Sequence, residues 1–302
     1  MATILFWKNS NPVDPFCHNC FLDPKKSITM PFKNIIFLLF FLNAIPGLAQ
    51  NSASSNVSTF KIEAPQLDTI RTIRIYLPAG YETSQENYPV LYMHDAQNLF
   101  DTTTAFSGEW KVDEFLDSQK GQKVIVVGID HGDEQRIAEL TPFPNEKYGG
   151  GEGAAYIDFL VKTLKPYIDS NFRSLPEAEN TAVMGSSLGG LISFYAALEY
   201  PKVFGKTGVL SPSFWFSEEI FSFAEASEIP TNSRFYFVAG TAESESMIAD
   251  LLEMKQILLK KDLSEERLQL KIVKDGEHNE AFWSREFPEA FEWLFPNPGR
   301  DQ

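Results

Sequence analysis

Gly185-Ser186-Ser187-Leu188-Gly189 sets a serine between two glycines, each two residues away. An apolar, β-branched run, Thr181 to Met184, precedes it, and a helix-like run follows as far as Pro201. A G-x-S-x-G stretch on a strand-to-helix turn suits nucleophilic chemistry, because the sharp turn holds the central serine Oγ clear of the sheet. Both flanking glycines are expected to be required, since strand and helix would pass too close for a Cβ. The helix start offers backbone N–H groups, beginning at Leu188, to a developing oxyanion. Ser187 is therefore the candidate nucleophile, with Ser186 its neighbour. The bland alternative is a glycine-rich packing turn, and the strand before and helix after speak against it.

A serine hydroxyl needs a base. His94, His131 and His278 are the histidines beyond Gln50, and only His278 follows Ser187. On this kind of turn the chain order is serine, acid, histidine. His278 stands in KDGEHNEAFW, just past the last strand-like run. The acid is expected between the two, after a strand. AGTAESE offers Glu243, with Glu245 and Asp250 behind it. An orienting carboxylate must be held rigidly, which favours Glu243, nearest the strand end. A second oxyanion donor is expected from HDAQNLFD, where the N–H of Ala96, Gln97 or Asn98 would serve, Gln97 being preferred. Phe214 and Trp215 in SFWF are candidates for the substrate pocket, with core packing as their competing role.

The elements that must position these residues alternate along the chain. Strand-like runs are Thr72 to Pro78, Tyr88 to Asp95, Lys123 to Asp130, 181–185, Lys206 to Ser213, Arg234 to Thr241 and Leu268 to Gly276. Several are near-continuously apolar, as strands buried on both faces are. Helical runs are Tyr156 to Phe172 (with a kink expected at Pro166), 188–199, Met247 to Lys261 and Phe287 to Phe295. Such alternation predicts a mostly parallel sheet with helices on both faces. Gly149, Gly151 and Ala154 match a dinucleotide-binding pattern, but the preceding strand ends near Asp130, so the context is wrong and a loop leading into the helix is expected.

The chain has 302 residues, 43% of them hydrophobic, enough for one sizeable core. MPFKNIIFLLFFLNAIPGLAQ, from Met30 to Gln50, reads as a signal peptide: a basic start at Lys33, eight apolar residues, then small residues at Gly47 and Ala49. The apolar stretch is too short for a membrane anchor. Cleavage before Gln50 is expected, with residues 1–29 an extension upstream of a start at Met30. The mature domain, 50–302, then has no cysteine, because Cys17 and Cys20 are both removed. Its charge is −17: 26 − 4 basic and 41 − 2 acidic residues remain. That argues against nucleic acid and anionic membrane as partners. Gln50 to Ser58, polar and rich in Ser and Asn, is expected as a loose lead-in.

YPVLYMHDAQNLFD, GEWKVDEF, VVGID, YGGGEGAAYIDFLVKTLKPYID and VMGSSLGGLISFYAALEYPKVFGKTGVLSPSFW together resemble the esterase family of α/β-hydrolases. That group includes feruloyl and acetyl-xylan esterases, S-formylglutathione hydrolases, siderophore trilactone esterases and mycolyltransferases. The resemblance covers nearly all of residues 60 to 295. It implies an α/β-hydrolase fold, Ser187 as nucleophile, His278 as base, Glu243 as acid, and oxyanion N–H groups at Gln97 and Leu188. Many members carry a His-Gly pair where this chain has His94-Asp95. The resulting expectation is a secreted or periplasmic serine esterase acting on a small-molecule or carbohydrate ester, with no metal or organic cofactor. An acyltransferase using the same triad, and a non-catalytic binding protein on the same fold, are the rival readings. Oligomeric state is not addressed by these features.

Overall fold

Period-two alternation in strands whose two faces are both covered gives the apolar runs noted above, and the structure shows what covers them. The computed structural model describes residues 51–297. Eight strands form one sheet: β1 (Val57–Ala64), β2 (Thr69–Tyr76), β3 (Val90–His94), β4 (Ile125–Ile129), β5 (Thr181–Ser186), β6 (Lys206–Leu210), β7 (Arg234–Gly240) and β8 (Leu268–Val273). Their order is β1-β2-β4-β3-β5-β6-β7-β8. β1 and β2 pair antiparallel, as do β2 and β4; all the other neighbours are parallel. The helices are α1 (Val112–Ser118), α2 (Arg136–Glu139), α3 (Gly153–Phe159), α4 (Lys165–Asn171), α5 (Leu188–Glu199), α6 (Glu219–Ala226), α7 (Met247–Lys260) and α8 (Glu280–Leu294).

Alternate residues of each strand serve two cores. Val90, Tyr92, Val127, Val183 and Phe237 belong to a cluster that includes side chains of α3, α5, α6 and α7. Leu91, Met93, Val126, Met184 and Tyr236 belong to a second cluster with α1 and α8. Every residue of β3, β4 and β5 is buried. This is the mostly parallel sheet with helices on both faces expected from the alternation of runs.

Four local features differ from the sequence reading. The polar lead-in ends at β1, an edge strand whose largely exposed residues gave no apolar run to read. The helical run through Pro166 does not kink there; a π turn, Leu160–Leu164, widens it first, and Pro166 enters as the second residue of α4. A wide turn disrupts the i−4 ladder just where proline cannot donate to it. The last helix starts at Glu280, seven residues earlier than the periodicity suggests, because Asn279 caps it by accepting from the Phe282 N–H at 2.9 Å. Helices α1, α2 and α6 were not anticipated.

Candidate active site

Every group expected to do chemistry lies just beyond the C-terminal end of a strand. Parallel strands bring those ends to one edge, where ligands bind in open α/β sheets. Ser187 joins β5 to α5 with φ 55° and ψ −121°, a conformation a non-glycine residue adopts only under constraint. The constraint is visible: its N–H donates to Leu210 O at 3.0 Å, and its carbonyl accepts from the Ser213 N–H at 3.1 Å. A Cβ on Gly185 would lie 2.7 Å from the backbone of Gly189, so glycine is obligatory there. Gly189 differs from expectation, because a Cβ on it would meet only side-chain atoms of His94 and Asp95, the nearest being His94 Cβ at 3.4 Å. The third glycine, Gly190, is the second crowded position, with Leu210 O 2.9 Å from its hypothetical Cβ.

The Ser187 Oγ is 3.0 Å from His278 Nε2, and His278 Nδ1 is 2.7 Å from Glu243 Oε2. An ionised carboxylate only accepts, so Nδ1 carries the proton and Nε2 faces the serine as an acceptor. The Glu243 side chain is fully buried. Its other oxygen, Oε1, accepts from Ser211 Oγ at 2.8 Å and from the Gly240 N–H at 2.6 Å. Trp283 Nε1 donates to Ser211 Oγ at 2.9 Å, and the indole meets the His278 ring edge-on at 4.9 Å. Glu243 and His278 come from loops after β7 and β8. Those loops touch: a Cβ on Gly240 would sit 2.0 Å from Gly276 O, and Ala242 N donates to that same oxygen at 2.9 Å. Asp250 instead accepts from Ser246 Oγ, at the start of its own helix. Glu245 is exposed.

Leu188 is the first residue of α5, so its N–H has no intrahelical acceptor. Gln97 lies in the 3-10 turn Ala96–Asn98, entered through Asp95 at φ 54° and ψ 46°. Aspartate stands here in a left-handed conformation that glycine adopts freely and aspartate tolerates. Arg136 holds it there, donating from Nε and an Nη to the two Asp95 carboxylate oxygens at 2.7 and 2.9 Å. Burial raises the Asp95 pKa, but the Arg136 hydrogen bonds and charge more than offset this, and the net shift is downward. His94, buried beneath the turn, pairs through Nδ1 with Tyr156 Oη at 2.8 Å. Burial lowers its pKa to about 4, so it is neutral at pH 7. Sequence reasoning missed Arg136, Ser211 and Trp283: each acts through a contact distant in the chain and belongs to no local motif.

A cleft of about 470 Å³ opens over Ser187 and His278, lined also by Gln97, Trp110, Arg136 and Glu280. A second cavity of about 760 Å³ shares Gln97, Phe106, His131 and Asp133 with it. Phe106, 90% exposed, stands on that shared boundary. Phe214 and Trp215 are corrections to the sequence reading, because neither lines either cavity. Phe214 is fully buried against Phe194 and Phe237, since the turn after β6 directs it into the core. Trp215 faces outward and packs on Tyr148.

The fold, with a serine on its strained turn beside a histidine and a buried carboxylate, is that of an α/β-hydrolase. Residues 64–294 match the family described as "Putative esterase", and the chain belongs to that family. It is accordingly a carboxylic ester hydrolase. It is 28% identical over 238 residues to the uncharacterized protein YbbA of Bacillus subtilis, covering 74% of this chain and 92% of that one. It is 28% identical over 217 residues to an endo-1,4-beta-xylanase/feruloyl esterase of Xylanibacter ruminicola, covering 68% of this chain and 28% of that protein. Among solved structures, the BES protein from Bacillus cereus superposes with a TM-score of 0.66 at 19% identity, over 81% of this chain and 97% of that one. The enterobactin esterase FES from Shigella flexneri gives 0.64 at 20% identity, over 82% and 61%. At these identities the structural likeness speaks for the fold.

Proposed function

We propose that the chain is a serine esterase in which Ser187, His278 and Glu243 form the catalytic triad. The observation that carries this is the unbroken hydrogen-bond chain from buried Glu243 through His278 to Ser187 Oγ. His278 Nε2 takes the Ser187 proton as Oγ attacks the ester carbonyl, and the carbonyl π electrons move onto oxygen. The N–H groups of Gln97 and Leu188 stabilise that oxyanion. Collapse expels the alcohol, which receives the proton from His278, and leaves an acyl-serine. Water, deprotonated by the same histidine, then releases the acid and restores Ser187. Glu243 holds the imidazole in the productive tautomer and stabilises the imidazolium.

The substrate class proposed is an acylated carbohydrate or other small-molecule ester. The cleft over Ser187 and the neighbouring cavity, which share four lining residues, suit an alcohol part larger than a methyl or ethyl group, and the relatives include a feruloyl esterase and, at 26% identity over 155 residues, a siderophore triacetylfusarinine C esterase of Aspergillus fumigatus. The proposed location is secreted or periplasmic, with residues 30–49, which lie outside the described residues, removed as a signal peptide and 50–302 forming one mature domain. Among the described residues no helix is long and apolar enough to cross a membrane.

Fluorophosphonate labelling followed by peptide mapping tests the mechanism, and the modified residue is expected to be Ser187. A panel of acetyl, feruloyl and aryl esters, run with and without acceptor alcohols, then reads substrate and separates hydrolysis from acyl transfer. Absence of labelling on folded protein would refute the serine mechanism. N-terminal analysis of exported protein checks for a start at Gln50.

A further inference from the structure

We propose that the cavity beside the catalytic cleft is a subsite for an uncharged sugar ring, with Phe106 as the surface on which the ring stacks. The inference rests on the serine-esterase reading above and names the alcohol part that the site takes. Phe106 is the most exposed large apolar side chain among the described residues. It nevertheless lines two concave surfaces, the cleft over Ser187 and the neighbouring cavity of about 760 Å³. Apolar surface left in water is unfavourable unless something covers it. One phenyl ring with the exposed Ile70 beside it is far less than the roughly 800 Å² per partner that a stable protein interface buries. It is enough for one face of a pyranose, whose C–H groups pack on an aromatic face while the hydroxyls stay polar at the edge. The ring is also fixed relative to the chemistry. The Phe106 N–H donates to Asn98 Oδ1 at 3.0 Å, and Thr104 Oγ1 donates to Gln97 O at 2.7 Å. Both acceptors belong to the turn proposed to hold the oxyanion, so one piece of chain sets the platform and the reacting carbonyl together.

Charge decides what kind of ring is accepted. The arginines that line the two cavities are already paired: Arg71 with Glu139, Arg74 with Asp130, and Arg136 with Asp95. No lysine lines either cavity among the described residues. Asp133, on the shared boundary, and Glu280, in the cleft, form no ion pair with an arginine or lysine among the described residues. A carboxylate or phosphate on the substrate would therefore meet surplus negative charge with no free cation to answer it. Neutral hydroxyls meet a better match. Thr69, Thr72 and Gln135 line the cavity, and their side chains both donate and accept, as sugar hydroxyls do. His131, on the boundary, accepts the Asp133 N–H on Nδ1 at 2.9 Å, which leaves Nε2 as its donor.

Steady-state kinetics of the purified enzyme on a matched pair of sugar esters tests this. Methyl 2-O-acetyl-β-glucoside and methyl 2-O-acetyl-β-glucuronide differ only in the carboxylate of the second, and 4-nitrophenyl acetate serves as an ester with no sugar ring. Wild-type kcat/KM should be at least about tenfold higher for the glucoside than for the glucuronide. Phe106→Ala should lower kcat/KM on the glucoside by about three- to tenfold, through KM, and Phe106→Tyr should restore it. On 4-nitrophenyl acetate Phe106→Ala should stay within about twofold. Asp133→Asn should raise kcat/KM on the glucuronide by about two- to fivefold. A glucoside rate indifferent to Phe106→Ala would overturn the subsite, and so would an equal loss on 4-nitrophenyl acetate. A glucuronide cleaved as readily as the glucoside would overturn the preference for an uncharged ring. A wild type that labels at Ser187 and hydrolyses 4-nitrophenyl acetate, yet leaves both sugar esters intact, would sink the subsite alone. A wild type that neither labels nor hydrolyses any of the three would sink the triad reading, and the subsite with it.

Discussion

Ser186 and Ser187 are adjacent and chemically alike, yet only Ser187 has its Oγ within reach of a base. Ser187→Ala is expected to abolish ester hydrolysis, while Ser186→Ala keeps most of it. The same assay ranks the acids. Glu243→Ala should lower kcat on the order of 10³ to 10⁴-fold, as loss of an orienting carboxylate does, while Glu245→Ala and Asp250→Ala stay within a few-fold. A crippling Asp250→Ala would sink the assignment. The glycines separate in the same way. Gly185→Ala drives a Cβ into the Gly189 backbone and should cost about 1–3 kcal/mol or more in urea unfolding. Gly189→Ala meets only van der Waals contact and gains helix propensity, so its change should stay within about 1 kcal/mol. The sequence motif shows two equivalent glycines; only three-dimensional crowding shows that Gly185 and Gly190 are the constrained pair. Ser187, His278 and Glu243 were legible because their order and strand-end positions follow from the elbow. Phe214 misled because an aromatic after a strand looks the same in sequence whether it turns toward the core or the cleft.

Elements were legible where burial was complete. Strands β3 to β7 are almost wholly buried and mostly apolar and show plainly in the sequence, whereas edge strand β1 is half exposed and is lost among polar neighbours. Helix α1, seven residues long, is too short for its periodicity to register. The turn after β3 is the element whose upkeep was hidden. Its left-handed Asp95 depends on Arg136, 41 residues further on. Arg136→Ala should release the turn and displace the Gln97 N–H from the oxyanion. The expected result is a fall in kcat of about 10 to 100-fold with KM changed by little, since oxyanion donors act in the transition state. Arg136→Lys should recover only part, because an ammonium cannot bridge both carboxylate oxygens as the guanidinium fork does. A rise in KM with kcat intact would instead make Arg136 a substrate contact.

Across the whole molecule, two buried groups pull stability in opposite directions as pH changes. The unfolded chain protonates His94 below about 6.5, whereas the folded chain resists until about 4. The unfolded state therefore binds more protons in that window, and the His94 contribution, about 3 kcal/mol, is lost as pH falls from 6.5 to 4. Asp113, raised to about 7, does the reverse: the folded chain keeps a proton the unfolded one releases, so its term improves as pH falls. The wild-type curve alone would blur the two. Urea unfolding of wild type and His94→Gln at pH 7 and pH 4 isolates the first, and the stability difference should shift by about 3 kcal/mol against wild type at the lower pH. An unchanged difference would mean that His94 titrates normally. Neither group could be read in the sequence, because burial depends on what packs around it. The distance along the chain between nucleophile and base has a consequence for biogenesis. Ser187 meets its base only through a residue 91 positions later, seated by a helix that closes the described chain. If Ser187 and His278 act as proposed, a nascent or truncated polypeptide ending before His278 carries its elbow serine without a base, and ester cleavage is expected only once that last stretch of chain has been made.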